Sequence, residues 1–300
     1  HKIMRSVLNV LLLAPYATSF LPHHNPIPAP EVRRSSALFS SQLEQLADIT
    51  TLSIDSGDLK VIEAFAKTGF ITDATTNPLF VAQAGLSGDP DYQDMVDYAV
   101  NYAVGSSCEL DFDNMDDPTF ASSCSDFTAL AMDALAVKLG STISSLVPGY
   151  VSTEVDPRLS FDTEETLVRA RRIVSMYEEV GVPRSRILVK IAATWEGIVA
   201  AKTLEEEGIS CNLTLIFSHV QGVACAQADA TLISPFPGRV LDWHNDRRDS
   251  IPSSPEDDEG VQVVKKMHHY FRKFGLRKTI LMPASWRAGG GGGKNARRRK

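Results

Sequence analysis

Short apolar runs alternate with helix-length amphipathic segments along most of this sequence, and that alternation constrains the fold more than any other feature. Each run has the length of a strand and is bounded by polar or turn-forming residues, which predicts a buried strand. The predicted strands are TLSID (51–55), ITDATT (71–76), LVPGYVST (146–153), ILVKIA (187–192), CNLTLIF (211–217), ATLISPF (230–236) and KTILMPA (278–284). Strands separated by helices form parallel βαβ units. An α/β fold of the (β/α)₈ TIM barrel type is favoured over an open sheet, because no glycine-rich nucleotide-binding turn follows the first strand.

The predicted helices carry start and stop signals of their own. Asp162 or Thr163 can cap the start of the helix that follows the third strand, and Gly181 can end that helix. Gly208 and Gly275 follow two later helical segments in the same way. Glycine ends helices because it adopts the left-handed backbone conformation without steric cost. These signals support a chain in which helices separate the strands.

The first 40 residues differ in composition from the rest of the chain. Residues 4–20 contain Arg5, then an apolar core, then small residues, and the stretch from there to residue 41 is rich in Pro and Ser with Glu31 as its one acid. A signal peptide followed by a transit peptide has this composition, so we expect residues 1–40 to be a disordered presequence. It resembles the bipartite plastid presequences of algae with secondary plastids. We therefore expect a plastid location, with a cytoplasmic or secretory destination as the alternative.

Beyond this presequence, the chain divides by composition into a folded part and a tail. We expect residues 41–288 to form the barrel, with an acidic insertion at about 105–126 that falls outside the strand–helix rhythm. Residues 289–300 are a low-complexity stretch of glycine and basic residues, which predicts a disordered tail.

Charge and cysteine content exclude several classes of function. The net charge of −7 gives no electrostatic reason to expect a nucleic-acid partner or an anionic membrane partner. The apolar core near the start is also too short to span a membrane as a helix. The 4 cysteines are too few and too scattered for a disulfide framework or a zinc site, so we predict no metal.

One lysine interrupts the fourth predicted strand. In ILVKIA, Lys190 is surrounded by Ile187, Leu188, Val189 and Ile191. A lysine at a strand end often packs its stem against apolar residues and keeps its ammonium in water. The alternative is functional: a partly desolvated lysine loses its charge, and a neutral amine attacks carbonyl carbons.

Polar residues recur where the predicted strands end. In a barrel these positions lie at the carboxyl-terminal face, where active sites form. Asp55 and Asn77, Lys190 and Asn212, and Asn212 and Ser234 are each 22 residues apart, which corresponds to one strand–helix repeat. The sequence therefore predicts a ring of polar groups around a cavity, made of Asp55, Asn77, Glu154, Lys190, Asn212, Thr214, Ser234, Ser285 and Arg287.

This set of side chains favours one type of chemistry. The set holds one amine, Lys190, and two carboxylates, Asp55 and Glu154, with no His or Cys to serve as a metal ligand or a triad member. An amine with carboxylates that move protons suits Schiff-base chemistry on a carbonyl substrate, and this needs no cofactor. Arg239 and Arg287 could bind a phosphate through their planar guanidinium groups, although an outer salt bridge is an equal alternative for each.

Six motifs resemble those of the transaldolase family, in order, from about residue 42 to residue 287. They are DATTNP (73–78), VSTEVDPRLSFDT (151–163), ILVKIAATWEG (187–197), CNLTLIFS (211–218), LISPFPGRVLDW (232–243) and MPASWR (282–287). The resemblance implies the transfer of a dihydroxyacetone unit from sedoheptulose 7-phosphate to glyceraldehyde 3-phosphate. The products would be erythrose 4-phosphate and fructose 6-phosphate, within the non-oxidative pentose phosphate pathway.

The resemblance also implies a role for each matching residue. Lys190 corresponds to the Schiff-base lysine, Glu154 to an acid/base that acts through a water held near Thr214, and Asp55 to the base for carbon–carbon cleavage. Asn77 and Asn212 correspond to residues that hold substrate hydroxyls and the intermediate. The substrate- and phosphate-binding positions are Ser234, Phe236, Arg239, Ser285 and Arg287.

The sequence departs from the family pattern at its end, which keeps other functions open. After Arg287 the family continues with a helix, an eighth strand and further helices, whereas this sequence continues with the glycine-rich tail. We therefore expect a barrel without its last strand and carboxyl-terminal helices. The alternatives are a related Schiff-base sugar-phosphate aldolase and an inactive truncated relative. The family also makes a homodimer possible.

Overall fold

The computed structural model describes residues 41–106, 120–247 and 254–287. The predicted presequence and tail, with residues 107–119 of the predicted insertion, lie outside the described residues. The predictions of disorder and of a plastid destination therefore stay predictions.

All seven predicted strands form, although the third begins at Val151, five residues later than predicted, because the preceding helix extends to Leu146. The fourth strand has the predicted bounds, whereas the seventh is reduced to two residues from the predicted stretch 278–284. The strands are β1 (Leu52–Asp55), β2 (Ile71–Thr75), β3 (Val151–Glu154), β4 (Ile187–Ala192), β5 (Cys211–Ile216), β6 (Leu232–Pro235) and β7 (Ile280–Leu281).

The sheet keeps the strands in the order in which they follow along the chain, from β1 to β7. The pairs β1–β2, β2–β3, β4–β5, β5–β6 and β6–β7 are parallel. Parallel strands in chain order with a helix between successive strands are the arrangement of a (β/α)₈ TIM barrel. The fold prediction is confirmed, and the described residues contain seven of the eight strands that such a barrel has.

The helices begin and end where the sequence signals placed them. Asp162 Oδ1 accepts a hydrogen bond from Glu165 N at 3.0 Å at the start of the sixth helix. Gly181, Gly208 and Gly275 have φ values of 82°, 77° and 72°, the left-handed conformation that ends a helix. The helices are α1 (Gln42–Ala47), α2 (Leu59–Ala66), α3 (Pro78–Leu86), α4 (Pro90–Gly105), α5 (Phe120–Leu146), α6 (Thr163–Glu179), α7 (Trp195–Glu206), α8 (His219–Gln227), α9 (Pro237–Asn245) and α10 (Glu259–Phe274).

The described residues form two compact units. Unit 1 extends to Glu154 and includes Ile173–Ile187, and unit 2 comprises Val155–Arg172 and the described residues from Leu188 onward. In unit 1, α4 and α5 pack along each other and bury apolar side chains. By length and composition alone Cys124–Leu146 could also span a membrane, but 50% of its most apolar window is buried, as in the core helix of a globular protein.

A guanidinium group fastens the end of α5 in unit 1. Arg186 donates hydrogen bonds to the carbonyl oxygens of Val147 and Gly149 at 2.7 Å each, and to that of Ser144 at 3.1 Å. The last carbonyls of a helix have no partner within the helix, and a cation there also interacts favourably with the helix dipole. Arg186 therefore fixes the turn that leads from α5 into β3.

In unit 2, the carboxylate of Glu205 contacts residues at the start of three strands. Glu205 accepts hydrogen bonds from Cys211 N at 2.9 Å and from Thr231 N and Oγ1 at 2.5 and 2.9 Å, and Lys278 Nζ lies 3.8 Å away. These partners precede or begin β5, β6 and β7. Because only 6% of the Glu205 side chain is exposed, these bonds are shielded from water.

We predict that Glu205→Ala lowers the free energy of unfolding by about 3 kcal/mol, because it leaves two part-buried backbone N–H groups without their acceptor. Glu205→Gln keeps one acceptor oxygen and should lose less. Urea unfolding followed by circular dichroism measures both values. Glu206→Ala, at the exposed neighbouring position, is the control and should change stability by less than about 0.5 kcal/mol. Equal losses for the two alanine variants would contradict this role of Glu205.

Candidate active site

Lys190 is buried in the middle of β4. All six residues of this strand are buried, and Lys190 is 5% exposed. Its carbonyl oxygen accepts a hydrogen bond from Val155 N at 2.9 Å, so the strand backbone is held at this point. A side chain this buried does not keep its head in bulk water. This burial argues against the alternative of a packed stem with an ammonium exposed to water.

Two buried polar residues of β5 lie next to this amine along the sheet. In the register of β4 and β5, Lys190 is opposite Asn212 and Ala192 is opposite Thr214. Residues two apart on a strand share a face, so Lys190, Asn212 and Thr214 face the same side. Asn212 and Thr214 are both 0% exposed. Ser234 Oγ on β6 donates to Asn212 Oδ1 at 2.7 Å and extends this buried polar cluster across a third strand.

The hydroxyl of Thr214 has an unusual position within this cluster. Its Oγ1 is buried, and within the described residues no protein group forms a hydrogen bond with it. A buried hydroxyl left in this state costs about 1–3 kcal/mol. Native proteins rarely keep such a group unless it has a partner during function. Thr214 can therefore supply a hydrogen bond to a molecule that enters the cluster.

The backbone directly after Thr214 is irregular. In the register of β5 and β6, Leu213 is opposite Ile233 and Ile216 is opposite Pro235, so Thr214 and Leu215 together face the single residue between them, Ser234. Leu215 has φ of 58°, a left-handed conformation that costs a non-glycine residue roughly 1–2 kcal/mol. Bulges of this kind concentrate beside active sites because they redirect a side chain. No pattern in the sequence indicates this bulge.

Phe236 and Arg239 lie at the start of α9, directly beyond β6. Phe236 is half-buried and packs edge-to-face on Phe217, with ring centroids 6.1 Å apart. Arg239 is exposed, and its Nη1 lies 3.7 Å from Asp242 Oδ2 one turn along the helix. This helix therefore presents one aromatic ring and one accessible cation beside the end of β6.

Asp242 also binds the second predicted arginine. Arg287 donates from Nε to Asp242 Oδ1 at 2.9 Å, and a second, shorter bond joins Nη2 to Oδ2. Arg287 Nη1 donates to the carbonyl and hydroxyl oxygens of Ser285 at 2.8 and 3.1 Å. The hydrogen bond from Arg287 lowers the pKa of Asp242 below its usual range. The structure thus brings Arg239 and Arg287 together at the Asp242 carboxylate, with Ser285 bonded to Arg287, and both arginines form the ion pair that was the alternative.

Gly238 allows the chain at Ser285 to lie close to the start of α9. A Cβ atom on Gly238 would lie 1.8 Å from the carbonyl oxygen of Ser285, so no larger residue fits there without moving the chain. Ser285 itself has φ of 60°, which is uncommon for a residue other than glycine. The segment after β7 is therefore held tightly against the start of α9.

Unit 1 contains the other three predicted site residues. Asp55 ends β1, is exposed, and accepts a hydrogen bond from Thr75 Oγ1 at 2.7 Å. Asn77 caps α3 through a 3.0 Å hydrogen bond that its Oδ1 accepts from Phe80 N. Glu154 is the half-buried last residue of β3. Each lies at the carboxyl end of its strand or just beyond it, as predicted.

The regular 22-residue spacing matches the strand register for one of the three pairs and misses it for two. Asn212 is in register with Leu232, so Ser234 lies two residues further along β6. Lys190 and Asn212 are in register, but Asp55 is in register with Thr75, so Asn77 lies two residues beyond the level of Asp55. The difference arises because Asn77 serves as the helix cap after the strand has ended. The complete ring of polar groups stays a prediction.

Sequence reasoning missed three residues that bond to site residues or to the backbone beside them, namely Thr75, Gln221 and Asp242. Asp242 could have been found, because it stands three positions after Arg239 on a predicted helix, where opposite charges meet. Thr75 is opposite Asp55 only through the register of β1 and β2. Gln221 acts through contacts that depend on the bulge in β5.

The lowered pKa of Asp242 predicts a pH-dependent contribution to stability. A carboxyl whose folded pKa lies below its unfolded value of 3.8 stabilises the fold above pH 3.8, and this contribution is lost as pH falls through the folded pKa. We expect Asp242→Asn to reduce the free energy of unfolding at pH 7 by less than about 1 kcal/mol, because the pair is partly exposed. The difference from the unsubstituted chain should shrink below about pH 4. Urea unfolding at pH 7, 5 and 3 measures it, with the exposed Asp246→Asn as control; a constant difference would refute the linkage.

Comparison with known proteins identifies the family to which these features belong. A family model described as Transaldolase/Fructose-6-phosphate aldolase matches residues 52–290. The transaldolase of Alteromonas mediterranea is 44% identical over 248 residues, which cover 83% of this chain and 71% of that protein. The transaldolase of Rattus norvegicus is 44% identical over 250 residues, or 82% and 67% of the two chains. That of Nostoc punctiforme is 47% identical over 247 residues, or 82% and 68%. With its parallel sheet and the buried lysine of β4, the chain belongs to the transaldolase/fructose-6-phosphate aldolase family.

Proposed function

We propose that this chain is a transaldolase, which transfers a dihydroxyacetone unit between sugar phosphates through a Schiff base on Lys190. The observation that carries the proposal is the burial of Lys190 in β4, in register with the buried amide of Asn212. The donor would be sedoheptulose 7-phosphate and the acceptor glyceraldehyde 3-phosphate. Fructose 6-phosphate and erythrose 4-phosphate would be the products, as in the non-oxidative pentose phosphate pathway.

The first step in this proposal is nucleophilic addition by Lys190. Its neutral amine forms a bond to the carbonyl carbon of the ketose, and the resulting carbinolamine loses water to give an iminium ion. The iminium withdraws electrons from the neighbouring carbon–carbon bond. That bond can then break, with its electron pair moving toward nitrogen, so that the aldose leaves and the three-carbon unit stays on the lysine. Addition to the acceptor aldehyde and hydrolysis reverse these steps.

Protons move through three side chains in this scheme. Glu154 donates and accepts the protons of carbinolamine formation and loss through a water molecule that Thr214 orients. The buried hydroxyl of Thr214 supports this role, because it has hydrogen-bonding capacity that no described protein group uses. Asp55 takes the hydroxyl proton as the carbon–carbon bond breaks, and the hydrogen bond from Thr75 fixes its carboxylate.

The remaining site residues bind the substrate. Asn77, Asn212 and Ser234 hold hydroxyl groups of the sugar chain, and Phe236 provides an apolar wall. We assign the phosphate to Arg239, Ser285 and Arg287, because the planar guanidinium group matches phosphate oxygens. Since Asp242 already occupies part of Arg287, the incoming phosphate would share or displace that carboxylate.

A fructose-6-phosphate aldolase is the second candidate, because the matching family model covers both activities. The two functions use the same lysine chemistry and differ in the fate of the three-carbon unit. A transaldolase passes it to an aldose phosphate, whereas the aldolase releases it as free dihydroxyacetone. The three relatives from Alteromonas, Rattus and Nostoc all carry the name transaldolase, which favours transfer.

We expect Lys190→Ala to abolish transfer, with a loss of roughly 10³-fold or more in kcat, because the substitution removes the covalent nucleophile. The full chain is given fructose 6-phosphate and erythrose 4-phosphate, and a coupled assay follows the release of glyceraldehyde 3-phosphate. Lys202→Ala, at an exposed position of α7, is the matched control and should keep full activity. Persistent turnover by Lys190→Ala would overturn the covalent mechanism, and release without an acceptor would favour the aldolase.

Thr214→Val separates the catalytic from the structural importance of the buried hydroxyl. We predict a lower kcat together with a free energy of unfolding that is unchanged or higher by up to about 1 kcal/mol, because the substitution removes a buried hydroxyl that no described protein group bonds. Thr153→Val is the contrast, since Thr153 Oγ1 shares a 2.5 Å hydrogen bond with the buried Tyr177 and its loss should destabilise the fold. Full activity, or strong destabilisation, in Thr214→Val would count against the assigned role.

A further inference from the structure

The side-chain amide of Gln221 on α8 joins the ends of two strands. Its Oε1 accepts hydrogen bonds from Phe217 N at 3.1 Å and Ser218 N at 3.2 Å. Its Nε2 donates to Ala193 O at 3.1 Å and to Leu215 O at 3.3 Å. Ala193 directly follows β4, and Leu215 is the left-handed residue of β5. The Gln221 amide therefore connects Ala193, which follows the strand that carries Lys190, with the bulge at Leu215.

The contact with Leu215 supplies a bond that the irregular strand lacks. A left-handed residue turns its peptide groups out of the ladder and leaves the local pairing disrupted. Here the Leu215 carbonyl oxygen receives its hydrogen bond from Gln221, and the preceding residue is held because Thr214 O accepts from Ala193 N at 2.8 Å. The carbonyl oxygens of Thr214 and Leu215 therefore both accept hydrogen bonds. Gln221 donates the bond to Leu215, and its bond to Ala193 O holds the residue that donates to Thr214.

The two halves of the Gln221 amide serve different purposes. The oxygen caps α8, and together with Ser218 it forms a capping box at the start of that helix. Within the part of the chain that the structure describes, the nitrogen bonds only to the strand ends. Loss of Oε1 should therefore affect the stability of α8, whereas loss of Nε2 should affect the backbone beside Thr214.

We infer that Gln221 is a positioning residue for catalysis, which fixes the bulge at Leu215 and so holds the hydroxyl of Thr214 in its productive direction. This inference rests on the proposed function, in which Thr214 orients the water that serves carbinolamine formation and loss. The Nε2 atom of Gln221 contacts backbone carbonyls alone among the described residues, and Gln221 acts on the reaction only through Thr214. Its loss affects the rate of the proton-transfer steps and leaves ground-state binding of the sugar phosphate intact.

Gln221→Glu tests this inference, because glutamate keeps the capping oxygens and removes the two hydrogen bonds from Nε2. We expect kcat for transfer in the full chain to fall by roughly tenfold, with KM changed by less than about twofold. The thermal midpoint should fall less than in Gln221→Met, because the capping box persists. As pH falls toward 5, part of the lost kcat should return, since a protonated glutamate can again donate to a carbonyl oxygen.

The controls separate this result from other effects. Gln227→Glu adds the same charge at an exposed position of the same helix and should keep the kcat of the unsubstituted chain. Gln221→Met removes both the cap and the donor, and should lose stability as well as kcat. If Gln221→Glu and Gln221→Met both turn over normally, or if only KM changes, the inference is wrong while the proposed function stands. If the unsubstituted chain shows no transfer, the proposed function fails and the inference falls with it.

Discussion

The burial of an amine inside β4 is the constraint on which the rest of this structure depends. A charged group taken out of water is costly unless it is paired, so an apolar strand seldom keeps a lysine at its centre. Lys190 is 5% exposed and is flanked on its strand by buried apolar residues. The amine of Lys190 therefore has limited access to water, and in the proposed function it is the group that forms the Schiff base. The buried polar cluster of Asn212, Thr214 and Ser234 then places hydrogen-bonding groups along the neighbouring strands.

Stability and function are divided between the two ends of the strands in unit 2. At their starts, Glu205 satisfies backbone donors of β5 and β6 and lies near Lys278 before β7. At their ends, two features cost free energy: the left-handed Leu215 and the hydroxyl of Thr214, which has no hydrogen-bond partner among the described residues. Barrels commonly show this division, with stabilising residues at the amino-terminal face and chemistry at the carboxyl-terminal face. The tight bonds at one end allow the unfavourable geometry at the other.

Much of the fold followed from local patterns in the sequence, whereas the fine geometry of the site did not. The bounds of β4 and the stops at Gly181, Gly208 and Gly275 were predictable, because apolar periodicity and helix-ending glycines act over a few neighbouring residues. The bulge at Leu215 was not, since leucine gives no sign of a left-handed conformation that tertiary contacts impose. The partners Thr75 and Gln221 depend on strand register and on that bulge. β7 is shorter than predicted, because its apolar pattern does not encode how many residues find a neighbouring strand.

The central claim is that Lys190 forms the covalent bond to the substrate. Incubation of the full chain with fructose 6-phosphate and borohydride, followed by protease digestion and mass spectrometry, tests this claim most directly, because reduction makes a Schiff base permanent at the lysine that formed it. We predict a reduced sugar adduct on the peptide that contains Lys190, formed only when the sugar phosphate is present. An adduct confined to an exposed lysine such as Lys202, or no adduct in an actively transferring protein, would contradict it.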